Sequence, residues 1–208
     1  MEGKKILDLG CGLGIAAYLA AKKVWPDGEV TGVECLEDVV EIASEKFRLP
    51  NLKFMVGDIT NFKFPSSTYD CVMLLEVIEH IEEPALLFRK IHNTLKPGGY
   101  LVLSTPNAAS IDTFFQNLKP IDKVIESIDR EEHGSGTETD HIYAWTLPIL
   151  YRLLNRCGFG FVDYAFAGAG FPFPNIDRIL GTKFTTWFES LYGRFGMNII
   201  LKVKKQSL

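Results

Sequence analysis

Lys4-Lys-Ile-Leu-Asp-Leu-Gly-Cys-Gly-Leu-Gly14 decides how this chain folds. A short aliphatic run, Ile6 to Leu9, stops at a glycine, and two more glycines follow at alternate positions before a segment of helical period begins. Glycine is needed where a chain turns sharply out of a strand and a ligand must approach backbone with no Cβ in between. The spacing is Gly-x-Gly-x-Gly, whereas dinucleotide sites carry Gly-x-Gly-x-x-Gly. Asp8 adds a carboxylate where a pyrophosphate would be repelled and a cationic ligand attracted.

Working outward, β-branched and aliphatic runs alternate with longer stretches of helical period, the pattern of β-α-β units around a parallel sheet. It predicts strands over residues 5–9, 30–34, 52–56, 69–75, 100–105, 159–165 and 198–204, and helices over 13–23, 36–47, 84–94 and 147–157. Leu95-Lys-Pro-Gly-Gly99 reads as a helix stop and turn. The fold class is therefore α/β: a Rossmann-like, doubly wound and mostly parallel sheet of seven strands, in one domain over residues 1–208. Two stretches break the alternation. Residues 107–141 are polar and acidic toward their end, which suits a cover over a site. Residues 168–193 are rich in Phe, Pro and Gly, with Phe171, Phe173, Phe184, Trp187 and Phe188 close together. They read as an excursion packing its aromatics on the sheet, or as an apolar substrate wall or homodimer surface.

Composition sets the outer limits. With 22 Lys and Arg against 26 Asp and Glu the formal net charge is −4, which does not favour a broad phosphate-binding surface. Cys11, Cys35, Cys71 and Cys157 are far apart, with no Cys-x-x-Cys pair and no zinc spacing, and read as reduced thiols in a cytoplasmic protein. No secretory signal is legible, and no apolar run reaches the roughly 18 residues a membrane helix needs.

The glycine loop resembles the first motif of class I S-adenosylmethionine-dependent methyltransferases, an acidic residue followed by three alternate glycines, here Asp8, Gly10, Gly12 and Gly14. Glu34 at the end of the second predicted strand, Val56-Gly-Asp-Ile59, Tyr69-Asp-Cys-Val-Met-Leu-Leu75 and Leu95-Lys-Pro-Gly-Gly-Tyr-Leu-Val-Leu-Ser104 follow in the family's order. The resemblance implies an antiparallel last strand in the seven-stranded sheet and S-adenosylmethionine as cofactor. Asp8, Gly10, Cys11, Gly12 and Gly14 would lie at its methionine part, Glu34 on the ribose hydroxyls, Asp58 and Ile59 at the adenine, and Leu75 along the cleft. Members of such folds usually carry a helix ahead of the first strand. Little chain precedes Lys4 here, so that flank is expected to be covered by another part of the chain or a partner, or the start lies further upstream.

The second cluster is Glu76-Val-Ile-Glu-His80. A helical segment would put Glu76, Glu79 and His80 on one side. A further histidine, His141, stands in Thr139-Asp-His-Ile-Tyr-Ala-Trp-Thr146, while His92 and His133 carry no assigned role. The segment, with Ser104-Thr-Pro-Asn107, is similar to ubiquinone-biosynthesis O-methyltransferases and their small-molecule relatives. It is also similar to the methyltransferases that act on the terminal 2′-hydroxyl of small RNAs, where two glutamates and two histidines bind a divalent metal. By that resemblance the ligands would be Glu76, Glu79, His80 and His141. The expected function is methyl transfer to a small molecule, at oxygen rather than nitrogen, with His80 or His141 accepting the proton. The alternatives are a metal-dependent RNA 2′-O-methyltransferase, against which the acidic balance stands, and a non-catalytic cofactor-binding subunit.

Overall fold

The computed structural model describes residues 3–110, 141–167 and 197–206, and the expected cover and the aromatic excursion lie almost entirely outside them. Seven strands are present: β1 (Lys5–Leu9), β2 (Glu29–Glu34), β3 (Leu52–Val56), β4 (Tyr69–Leu75), β5 (Leu95–Pro106), β6 (Phe159–Ala167) and β7 (Asn198–Lys205). The described helices are α1 (Ile15–Val24), α2 (Glu37–Lys46), α3 (Pro84–Thr94) and α4 (Leu147–Arg156), with a 3-10 turn at Ile78–His80.

The strands form one sheet in the order β3-β2-β1-β4-β5-β7-β6. All neighbours are parallel except β7, which runs antiparallel to both β5 and β6. Chain order reverses between β1 and β4, and a crevice opens beyond the carboxyl ends of strands at such a switch point.

Each element follows from its sequence. Central strands buried on both sides read as nearly continuous apolar runs, and Ile6, Leu7, Leu9, Val72 and Leu74 are all buried. Helix α1 places Ala17, Ala21 and Val24 against Ile6 and Val30, so its small residues let it lie close to the sheet. On the opposite face, Leu87, Phe88 and Ile91 of α3 and Leu150 and Leu154 of α4 form the larger core with Leu101, Leu103, Leu201 and Val203. Both α3 and α4 have proline in the first turn, where its missing N–H costs nothing.

Two local expectations are corrected. Leu95–Gly99 is not only a turn: Leu95 already pairs with Tyr69, and the ladder resumes at Cys71 opposite Tyr100, leaving the Pro-Gly-Gly as an irregularity with Gly98 at φ +74°. The segment after β4 is not a regular helix. Glu76 takes φ +53°, an uncommon conformation for a side-chain-bearing residue, and only Ile78–His80 closes a 3-10 turn. His92 is a core residue, 7% exposed and edge-on to Phe159. No helix among the described residues is long and apolar enough to cross a membrane.

Candidate active site

A cleft of about 580 Å³ lies at the β1/β4 switch point. Asp8, Gly10, Cys11, Gly12, Glu34, Asp58, Ile59 and Leu75 all line it. The three glycines of the loop divide their tasks. A Cβ on Gly12 would have no heavy atom within 4 Å, so this is the point where a ligand can lie against backbone. A Cβ on Gly10 would meet Val77 at 2.5 Å, and one on Gly14 would meet Phe54 at 2.6 Å. Gly14 does not line the cleft; it caps α1 at φ +79° and lets Phe54 and Ala43 close beneath the loop.

Asp8 is 2% exposed, and its Oδ2 has no hydrogen-bond partner among the described residues. Burial, only partly offset by the Ala17 amide, pushes its pKa from 3.8 up to about 7. An unpaired buried acceptor facing a cleft is costly unless a cationic donor arrives to pair with it. The ammonium of a bound amino acid fits that need.

Glu34 is arranged oppositely. Its Oε2 accepts from the Gly12 amide at 3.0 Å, and its Oε1 accepts from the Cys35 amide at 2.8 Å and the Cys35 thiol at 3.1 Å. Burial works against this carboxylate, but those donors outweigh it and hold its pKa below the ordinary value. The carboxylate thus stays charged, oriented, and with acceptor capacity left for ribose hydroxyls. Asp58 is clamped by Thr60 and Asn61 at 2.7 Å each, which fixes it in its turn and holds its pKa down. The thiol of Cys11 is pushed up to about 12 by burial and by the charges of Asp8 and Glu34, so it packs and does not react.

Beside the cleft, Glu79, His80 and His141 converge, with one ligand atom from each lying within 4.8 Å of the others. The imidazoles of His80 and His141 meet edge to face at 4.7 Å between centroids. Glu79 is 1% exposed, and its Oε2 accepts from the Thr105 hydroxyl at 2.8 Å. Its carbonyl accepts from the amides of Ile142 and Tyr143, at 2.9 and 3.1 Å, which brings His141 back over the turn. Glu76 is not a member of this trio. Its Oε1 accepts a short hydrogen bond from the Ser104 hydroxyl, and it lines the cleft together with His80. Burial raises its pKa, Ser104 opposes this, and the Glu79 charge adds to it. Of the expected metal set the structure therefore assembles three members. One carboxylate and two imidazoles suit a divalent cation such as Mn²⁺, with coordination positions left open.

Cys35, Thr60, Val77 and Ile81 also line the cleft and were not expected from the sequence. Each adjoins a motif residue that was, which is the signal that could have found them.

The sequence model of a methyltransferase domain family matches residues 1–145. The chain belongs to this family. Demethylmenaquinone methyltransferase of Staphylococcus aureus is 29% identical over 116 residues, covering 55% of this chain and 48% of that protein. An uncharacterized methyltransferase of Schizosaccharomyces pombe is 34% identical over 106 residues, covering 47% of this chain and 38% of that one. The matched stretch thus spans less than half of these curated relatives. Among solved structures, the methyltransferase in complex with the Haloferax volcanii Trm112 methyltransferase activator superposes with a TM-score of 0.70 at 18% identity, covering 100% of this chain and 84% of that one. An S-adenosylmethionine-dependent methyltransferase of Mesorhizobium loti gives 0.66 at 20% identity, with 98% and 92% covered. The methyltransferase domain described here is of the class I, S-adenosylmethionine-dependent type.

Proposed function

We propose that this domain transfers the methyl group of S-adenosylmethionine to an oxygen, in preference to a nitrogen, of a small molecule. One observation carries the reading. His80 lines the cleft and at the same time belongs to the trio with Glu79 and His141, so two imidazoles stand beside the space that a methyl donor would occupy. In the cleft the Asp8 carboxylate would hold the cofactor's ammonium, Glu34 its ribose, and Asp58 and Ile59 its adenine.

The reaction is an in-line displacement. A bound S-adenosylmethionine would supply an electrophilic methyl carbon: an acceptor oxygen would bond to it as the carbon–sulfur bond breaks, with sulfur keeping the electron pair as a neutral thioether. The hydroxyl proton passes to His80 or His141. Most of the acceleration comes from holding oxygen, methyl and sulfur in line away from water, an orientation effect on the order of 7–11 kcal/mol. The small-molecule class is supported by the similarity to a demethylmenaquinone methyltransferase. Incubating the purified chain with methyl-labelled cofactor and a panel of phenols, catechols and amines tests the proposal. Label in the phenols or catechols that is lost in His80→Ala and His141→Ala is expected; label confined to amines would overturn it.

The trio supports a second reading. Glu79, His80 and His141 would hold a divalent cation, which supplies a Lewis acid able to bind an acceptor diol and lower its pKa. A small chelating diol is favoured over the terminal ribose of an RNA because the net charge is −4. Turnover that survives EDTA unchanged removes this reading. A domain that needs a partner to complete its acceptor site is the remaining alternative, and activity of the isolated monomer excludes it.

A further inference from the structure

Residues 104 and 105 are neighbours on β5, and successive side chains of a strand point to opposite faces of its sheet. Both carry hydroxyls, and each donates to a different glutamate of the segment that follows β4. Ser104 donates to Glu76, which lines the cofactor cleft. Thr105, 0% exposed, donates to Glu79 of the trio. The backbone fixes this division. The Glu76 amide donates to the Ser104 carbonyl at 3.0 Å, Leu75 pairs with Ser104 across the sheet, and Glu76 takes the left-handed φ of +53° directly after. That reversal changes the direction of the chain between the two carboxylates, which stand three residues apart.

From this we infer that Ser104 and Thr105 are positioning residues that assign the two carboxylates to different ligands: Ser104 holds Glu76 toward the sulfonium cofactor, and Thr105 holds Glu79 toward the cation. A glutamate has three rotatable side-chain torsions; Glu79 is buried, where a carboxylate without a donor is costly, whereas Glu76 is exposed and needs a donor to keep it from turning away. Each hydroxyl supplies the donor and selects one rotamer. The Thr105 half rests on the cation reading above; the Ser104 half does not.

The division makes a crossed prediction that loss of packing cannot imitate. The full chain is titrated calorimetrically with S-adenosylmethionine alone and with Mn²⁺ alone, for wild type, Ser104→Ala, Thr105→Val and Thr105→Ser. Ser104→Ala is expected to weaken the cofactor about tenfold and leave Mn²⁺ unchanged. Thr105→Val is expected to weaken Mn²⁺ by about 10- to 100-fold and leave the cofactor unchanged, with Thr105→Ser restoring the affinity. In a Glu79→Gln background Thr105→Val should add nothing, because it acts through Glu79. Thr105→Ala takes the place of the valine variant if the latter does not fold. Equal loss of both ligands in either variant, or no loss in either, overturns the assignment. A wild-type chain that binds no Mn²⁺ removes the cation reading and the Thr105 half with it, while the cofactor titration of Ser104→Ala still decides the other half.

Discussion

Asp8→Asn separates what the cofactor cleft costs from what it does. The folded chain holds the Asp8 proton up to about pH 7, whereas the unfolded chain releases it near 3.8. Between those values the native state binds more protons than the unfolded state, so stability from this group falls as pH rises and levels off above 7. The gap of 7 − 3.8, about 3 units, corresponds to an upper limit of about 4 kcal/mol at 1.36 kcal/mol per unit. Asparagine fills the same volume and cannot ionise. Melting curves of cofactor-free wild type and Asp8→Asn should therefore run close together near pH 4 and separate progressively toward pH 8, the variant ending about 10 °C higher. Cofactor affinity should behave inversely. Only the ionised carboxylate pairs with an ammonium, so wild-type affinity should fall about tenfold per pH unit below 7, while the variant binds weakly at every pH. The reasoning is refuted if the stability difference is the same at pH 4 and pH 8, or if the variant binds the cofactor as tightly as wild type.

Glu34→Ala should leave the melting temperature within a few degrees but weaken the cofactor by about two orders of magnitude, because a charged, preoriented acceptor is lost; calorimetry reads this directly. Gly12→Ala should cost about 1 kcal/mol of stability for its φ of +49° and fail to bind, since its Cβ would enter open space where a ligand must lie. Gly14→Ala should instead cost stability, about 2 kcal/mol or more in denaturant melts, because φ +79° and the contact with Phe54 both oppose a side chain. At the other end of the sheet Asp70 accepts from Lys4 at 3.1 Å and Lys96 at 2.7 Å. Burial opposes its ionisation, but these lysines and the Lys5 amide hold its pKa down from 3.8 to about 2. Its stabilisation is complete above 3.8 and lost as pH falls through 2, so Asp70→Asn should cost about 1 kcal/mol at pH 7, discounted for the half-exposed lysines, and nothing near pH 2.

Much of the fold was legible because it rests on local pattern. The aliphatic runs 5–9, 52–56 and 69–75 match their strands end for end, and Pro84 marks the start of α3 where a missing N–H is harmless. The cofactor side was legible for the same reason: Asp8, Gly12 and Glu34 sit at strand ends that the sheet brings to one crevice. The loop glycines looked equivalent in sequence, yet Gly14 differs because Phe54, from another strand, fills the space where its side chain would be. The segment 76–80 could not be read from periodicity. Its left-handed turn at Glu76 is set by pairing with Ser104, a contact 28 residues away along the chain. The convergence of His141 on His80 likewise depends on the Glu79 carbonyl capturing the amides of Ile142 and Tyr143, which no local pattern encodes.

A crystal of the chain grown with S-adenosylmethionine puts the whole account to one test. The nucleoside should lie across Gly12, with its ammonium against the Oδ2 of Asp8 and its ribose on Glu34. Diffraction showing the cleft empty at millimolar cofactor, or the nucleoside seated elsewhere, would contradict it.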